Sequence, residues 1–512
     1  MNRRQLILSQ VMAFFFMTAL SGQSISEVVG VTGGQIKGVA HQSSGVHIFK
    51  GIPFAAPPVG DLRWKAPQPV MPWDGVKSCT EFGPSPMQAK PSPFMFWSSE
   101  FLIPEDPISE DCLYLNVWTN AQSQSDKKPV LVYIYGGGFR SGGSACPIYD
   151  GLSLAEKDVV FVSVNYRVGM FGFFAHPDLS SEAEYGTSGN YGILDMIAAL
   201  KWVKENIATF GGDPDNVTIA GQSAGAYGVN FLTASPLAKG LFHKVIAQSG
   251  ASFYENRRRP NLTLETAEQM GLEIAASIDE LRGKSSEELM QLSNALSWPL
   301  VDGYLLPKSI YEIFNSGEQN DVPTIVGWND RDVLMGPPVE RDAFLARISE
   351  RFEDKTSDFN RVYATDTKEE SDRAQLEMNR DESFGIQIYA WAKLQDKTGK
   401  EPVYMYNFNR DLPAYTPETA FGAFHSGEIV YAYDNLEKLK RPWEDVDHTI
   451  ADLMSGYWTS FIKDGNPNAD GLPEWKPFSV EHQYVQSISE DTRCEILPTK
   501  EKLLFWEAIY MN

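Results

Sequence analysis

Val217-Thr218-Ile219-Ala220-Gly221-Gln222-Ser223-Ala224-Gly225 runs from a short apolar, β-branched segment into a Gly-x-Ser-x-Gly turn, and a second apolar stretch follows it. The spacing has a mechanical reason. A residue on a sharp strand-to-helix turn is forced into strained backbone angles, and glycines two positions before and after it leave room for the neighbouring chain. Such a turn lifts the Ser223 hydroxyl clear of a sheet. It also aims the N-terminus of the following helix, and the N–H of Ala224, at an oxygen that becomes negative during attack. Ser223 is therefore a candidate nucleophile.

Working outward, β-rich runs alternate with helical patterns. Pro129-Val130-Leu131-Val132-Tyr133-Ile134-Tyr135, Val159-Val160-Phe161-Val162-Ser163-Val164, Val245-Ile246-Ala247-Gln248, Thr324-Ile325-Val326-Gly327 and Val403-Tyr404-Met405-Tyr406 read as strands, whereas Ile197, Leu200, Val203 and Ile207 recur at helical spacing within 193–210. The pattern predicts an α/β fold, a mostly parallel central sheet covered by helices. Segments 34–40 and 46–49 predict a small N-terminal antiparallel edge. Residues 340–382 are dense in charge and poor in strand signals, which predicts a helical cap insertion; residues 24–512 read as one domain with neither internal repeat nor low-complexity linker.

Upstream of the serine, Tyr135-Gly136-Gly137-Gly138-Phe139 follows directly on a strand. Ligand sites in open α/β sheets gather at that carboxyl edge. Consecutive glycines let backbone N–H groups turn inward as donors, so Gly137 and Gly138 complete a candidate oxyanion hole with Ala224. No Gly-Lys-Ser/Thr follows, which removes the phosphate-loop reading. A serine nucleophile needs a base, and His425, His448 and His482 follow it. His425 is favoured, since Gly422-Ala423-Phe424-His425-Ser426-Gly427 is a small-residue loop before a helical run, while the other two lie in polar stretches. The acid is expected between serine and histidine, after a strand, and Trp328-Asn329-Asp330-Arg331-Asp332 offers two candidates. No metal-ligand spacing occurs. Asp464-Gly465-Asn466-Pro467-Asn468 begins like a calcium loop, but Ala469 and Trp475 stand where glycine and glutamate are required.

Composition bounds the partners. The 512 residues carry a formal net charge of −23, which disfavours nucleic acid and anionic membrane surfaces. Residues 1–23 read as an export signal, with Arg3 and Arg4 before an apolar run over 6–20 and small residues near its end. The expected location is secreted or periplasmic, with no stable membrane anchor. The four cysteines permit three pairings. Cys79 and Cys112 bracket an irregular segment rich in Pro, Phe and Trp that a staple would stabilise; Cys146 and Cys494 stay unassigned. Arg257, Arg258 and Arg259 read as a solvated loop, and Asn216 and Asn261 stand in glycosylation sequons.

Together these motifs resemble the type-B carboxylesterase/lipase family, the cholinesterase-like α/β-hydrolases. Further matching stretches are Phe49-Lys50-Gly51-Ile52-Pro53-Phe54-Ala55, Ser109-Glu110-Asp111-Cys112-Leu113-Tyr114-Leu115-Asn116-Val117, Asn165-Tyr166-Arg167-Val168, Gly189-Asn190-Tyr191-Gly192-Ile193-Leu194-Asp195, Phe210-Gly211-Gly212-Asp213-Pro214, Gln248-Ser249-Gly250 and Gly465-Asn466-Pro467-Asn468. The resemblance implies an ester hydrolase with Ser223 as nucleophile, His425 as base, an oxyanion hole of Gly137, Gly138 and Ala224, a supporting Ser249 and no cofactor. Its substrate is expected to be a small-molecule or glycan-linked ester. Asp332 matches the acid position, one methylene shorter than the usual glutamate, and Asp330 is its rival. Gln222 replaces the glutamate that cholinesterases carry before the serine. Cys79 lies upstream of the usual first cysteine of an N-terminal disulfide, where this chain has Pro86, so the resemblance implies a Cys79–Cys112 pair with a displaced partner. The fold also carries inactive adhesion proteins; that reading, and an amidase or thioesterase, are the alternatives. Phe94, Phe96 and Trp97 with the 340–382 cap are expected either to line a substrate pocket or to pack as core. The sequence leaves the oligomeric state open.

Overall fold

The computed structural model describes residues 25–255, 262–292 and 297–511. The export signal over 1–23, the arginine run at 257–259 and the sequon at Asn261 fall outside them. Eleven strands form one sheet: β1 (Val39–Ala40), β2 (His47–Pro53), β3 (Tyr114–Thr119), β4 (Lys128–Ile134), β5 (Val160–Val164), β6 (Gly212–Gln222), β7 (Lys244–Gln248), β8 (Thr324–Asn329), β9 (Val403–Phe408), β10 (Tyr484–Ile488) and β11 (Arg493–Ile496). In space they run β11-β10-β9-β8-β7-β6-β4-β5-β3-β2-β1. Strands β4 to β10 are mutually parallel, and antiparallel strands finish both edges. Strands covered on both faces read as near-continuous apolar runs. Accordingly Val130, Leu131, Val132 and Ile134 of β4, and Val160 and Val162 of β5, are fully buried.

The chain passes from β4 outward to β5 and then returns across β4 to lay down β6. This is the α/β-hydrolase fold, and β4 and β6 flank its topological switch point, where loops leaving neighbouring strands diverge and open a crevice. Helix α1 (Tyr191–Asn206) buries Ile193, Ile197, Leu200 and Val203 and ends through a short 3₁₀ turn at Gly211, in the left-handed conformation. Helix α2 (Ala224–Ala234) starts immediately after Ser223 and packs on β4, β6 and β7.

The excursion between β8 and β9 contains α3 (Arg341–Phe352), α4 (Thr356–Val362), α5 (Lys368–Arg380) and α6 (Ile386–Thr398). It packs on the C-terminal helix α7 (Lys500–Tyr510): the ring of Phe352 stands edge-on to Phe505 at 5.3 Å, and Trp506 Nε1 donates to the Tyr363 hydroxyl at 2.9 Å.

The predicted N-terminal edge is present but divided. Val39–Ala40 pairs antiparallel with β2, whereas Gly34–Lys37 joins a separate three-stranded sheet with Val28–Val31 and Val76–Ser78. The break falls at Gly38, where a Cβ would lie 2.3 Å from the Ile48 carbonyl oxygen. The expected Cys79–Cys112 bridge is corrected: all four cysteines are free thiols. The Cys79 backbone is instead held by Lys37 and Lys50, and its Sγ lies 3.8 Å from the Gly51 carbonyl oxygen. The irregular segment after it is secured without covalent help. Gln88 and Gly142 exchange two hydrogen bonds of 2.7 and 2.8 Å, and Arg63 makes a two-pronged bond to Glu110 at 2.6 and 2.7 Å. Among the described residues no helix is long and apolar enough to cross a membrane.

Candidate active site

Ser223 adopts φ 54°, ψ −124°, a conformation L-residues occupy only when surroundings enforce it. Four contacts enforce it. Its N–H donates to the Gln248 carbonyl at 2.9 Å, and its carbonyl accepts from Tyr227 N–H at 3.0 Å. A Cβ on Gly221 would lie 2.4 Å from Gly225, and one on Gly225 would lie 2.0 Å from the Ile134 carbonyl oxygen. Both glycines are therefore steric necessities of the turn. Ala224 is the first residue of α2, so its N–H is one of the helix's orphan donors at the positive end of the dipole.

The loop after β4 runs beside this turn. Gly137 and Gly138 have φ of 117° and 64°, and neither N–H donates to an acceptor among the described residues. A Cβ on Gly137 would lie 2.2 Å from the Ser141 carbonyl oxygen. Both glycines, with Ser223 and His425, line one cavity of about 780 Å³.

His425 is buried, and its Nδ1 lies 2.5 Å from Oδ1 of the fully buried Asp332. The other carboxylate oxygen accepts the Asn329 N–H at 3.1 Å, so the carboxylate is fixed from both sides. The two loops that carry this pair are tied together: Arg331 N–H donates to the Ala423 carbonyl at 3.0 Å, and Asn329 Nδ2 to the Phe424 carbonyl at 2.7 Å. Asp330 is placed elsewhere. Its half-exposed carboxylate accepts from Arg380 at 2.9 Å.

Gln222 Nε2 lies 3.2 Å from Nε2 and 3.5 Å from Nδ1 of His425. Near-equal distances to both ring nitrogens place the amide over the face of the imidazole, since the in-plane lone-pair directions of those atoms diverge. Ser249 also has positive φ, 56°; its N–H donates to the Gly327 carbonyl at 2.8 Å, and its buried hydroxyl has no partner among the described residues.

Two residues of the site escaped the sequence reading. Phe384, in a π-helical turn between α5 and α6, stacks on the His425 ring at 4.9 Å with 21° between planes. Glu428, three residues after the histidine, is fully buried and accepts from Asn329 Nδ2 at 2.5 Å and Gln248 Nε2 at 3.1 Å. Burial first, and then the neighbouring Asp332 charge, push its carboxyl up to about 7, against the opposing hydrogen bond from Asn329. The spacing to His425 was the available signal for Glu428.

The aromatic loop divides its work. Phe94 and Trp97 line the cavity, and Trp97 Nε1 donates to the Ser426 hydroxyl at 3.3 Å. Phe96 is buried against Phe424 at 4.9 Å. No residue of 340–382 lines the cavity among the described residues. Nor do three His, Cys, Asp or Glu side chains gather there as metal ligands would.

Residues 25–506 match the family model described as the carboxylesterase family. The chain is 35% identical to the fumonisin B1 esterase of Sphingopyxis macrogoltabida, over 87% of this chain and 83% of that one. It is 32% identical to liver carboxylesterase 1 of Oryctolagus cuniculus, over 96% and 95% respectively. Among solved structures, a PNB esterase superposes with a TM-score of 0.79 at 30% identity, covering 94% of this chain and 99% of that one. A strained serine at the switch point of an α/β-hydrolase sheet thus coincides with similarity along nearly the whole chain, and the chain belongs to the carboxylesterase family of serine hydrolases.

Proposed function

We propose that the protein cleaves carboxylic esters through an acyl-enzyme on Ser223, with His425 as the base and Asp332 as its orienting acid. The observation that carries this reading is the contact of Asp332 Oδ1 with His425 Nδ1, which commits Nδ1 as the donor and leaves Nε2 as the proton acceptor. In acylation, Nε2 takes the Ser223 proton as Oγ bonds to the ester carbonyl carbon. The carbonyl π electrons move onto oxygen, which the N–H groups of Gly137, Gly138 and Ala224 receive. One such preorganised donor is worth roughly 3–4 kcal/mol of barrier. Collapse expels the alcohol, protonated by His425, and water repeats the sequence to release the acid. Asp332 stabilises the imidazolium without taking its proton. Gln222 and Phe384, lying against the imidazole, limit the ring's tilt; Glu428, through Asn329, supports the loops that carry the pair, and Ser249 ties its own turn to Gly327.

Ester cleavage fits the names of the relatives, each an esterase or carboxylesterase. It is tested by measuring kcat/KM on a simple alkyl ester, its thioester and its amide, for wild type and Ser223→Ala. The reading requires the ester to exceed the amide by orders of magnitude. It also requires the variant to lose roughly 10⁴-fold or more. Ester turnover that survives Ser223→Ala removes the serine from the mechanism. The export reading of residues 1–23 stands as a further proposal, tested by N-terminal sequencing of protein recovered outside the cytoplasm.

A further inference from the structure

The cavity wall has an unexpected charge. The chain carries 67 acidic residues against 44 basic ones. Yet no Asp or Glu lines the cavity among the described residues, while Arg140 and Lys90 both do. Lys90 is already matched, 3.3 Å from Asp106, with both side chains largely in solvent. Arg140 is exposed as well, but no acidic side chain among the described residues pairs with it. It lies two residues beyond Gly138 and is anchored through one donor only, Nε to the buried Ser297 hydroxyl at 2.7 Å. Its terminal guanidinium nitrogens have neither an acidic partner nor a hydrogen-bond acceptor among the described residues. Its backbone is held as well, since its N–H donates to the Gly137 carbonyl at 3.1 Å. An anchored guanidinium with both terminal amino groups unused has the geometry that pairs bidentately with a carboxylate.

We propose that Arg140 forms a carboxylate-binding subsite and that the preferred substrates are esters carrying a second, free carboxylate near the scissile bond. This rests on the ester-hydrolase reading given above. The subsite holds the charged arm while the scissile carbonyl lies at Gly137, Gly138 and Ala224. The remaining wall is largely apolar, with Phe101, Ile103, Met170 and Phe171 among its residues, and accepts the uncharged part of the molecule.

The test uses pairs in which a methyl ketone replaces the carboxylate at equal size. Ethyl hydrogen succinate against ethyl levulinate places the charge on the acyl side; acetoxyacetate against acetoxyacetone places it on the alcohol side. The expected result is a wild-type kcat/KM favouring the anion by about tenfold or more in one pair, identifying the side. In Arg140→Gln that ratio falls by roughly 10- to 100-fold, as loss of a charge-assisted pair implies, mainly through KM; Arg140→Lys keeps part of it. The ratio serves as its own folding control, because both members require folded enzyme. Equal or inverted preference in wild type, or a ratio indifferent to Arg140→Gln, overturns the subsite while leaving the esterase intact. Failure of wild type to hydrolyse any of the four compounds, together with other simple esters, contradicts the underlying reading instead.

Discussion

Gly225 lies so close to Ile134 that a Cβ at position 225 would sit 2.0 Å from the Ile134 carbonyl oxygen. The obstacle is backbone of a fully buried central strand, which has no cheap way to retreat. Gly225→Ala is therefore expected to cost at least about 3 kcal/mol, the upper range for overpacking. It also displaces the Ser223 turn. Thermal unfolding and esterase assays on the variant check this; native-like stability with full activity contradicts the steric account of the glycine.

Asp332 and Asp330 separate cleanly in a substitution experiment. Asp332→Asn keeps the shape but reverses the donor pattern at Nδ1, and kcat is expected to fall by roughly 10⁴-fold. Asp330→Asn weakens the pairs of a half-exposed carboxylate with Arg331 at 3.9 Å and with the buried Arg380, which retains Asp381 at 2.8 Å, so kcat is expected to stay within about threefold of wild type. The reverse order of effects assigns the acid to Asp330.

Glu428 predicts a pH dependence of stability. Its carboxyl is raised by burial from 4.5 to about 7, so between those values the folded protein binds more protons than the unfolded chain. The stabilisation is fully present below about pH 4.5 and is lost as pH rises through 7, a change of roughly 3 kcal/mol. Denaturant unfolding of wild type and Glu428→Gln at pH 5 to 8 measures it. The variant lowers absolute stability, because an amide cannot accept through both positions from Asn329 and Gln248. Its pH slope should nevertheless be flatter than that of wild type, and identical slopes refute the assignment.

The cysteines offer a chemical check of the loop they were expected to staple. With a bulky thiol reagent, only the partly exposed Cys494 should react in the folded protein, and all four should react after denaturation without reductant. Two thiols that appear only after reduction would restore the Cys79–Cys112 bridge.

The parts of this molecule legible in its sequence are those where sterics or periodicity leave few choices. The Ser223 turn admits only glycine at 221 and 225, and fully buried strands such as Val160–Val164 announce themselves as continuous apolar runs. The acid loop was legible as a place, and the family resemblance favoured Asp332 over its rival Asp330; the fold turns Asp332 inward against His425 and Asp330 toward Arg380. The last two strands, Tyr484–Ile488 and the edge strand Arg493–Ile496, mix polar with apolar residues and gave no signal. Phe384 was hidden because it stands at the junction of a charged stretch and an apolar helix, where it reads as one more core aromatic, and only the π turn brings it onto His425. The 340–382 helices were recognisable as helices, yet their apolar faces belong to the C-terminal helix rather than to the cavity.

The claim on which the mechanism depends is that Ser223 carries the covalent intermediate. Treatment with a fluorophosphonate ester, followed by intact mass and peptide mapping, tests it directly. The expected result is one adduct per chain, on the peptide containing Ser223, with esterase activity lost in proportion to labelling. An adduct on another residue, or full activity in protein quantitatively labelled at Ser223, would contradict it.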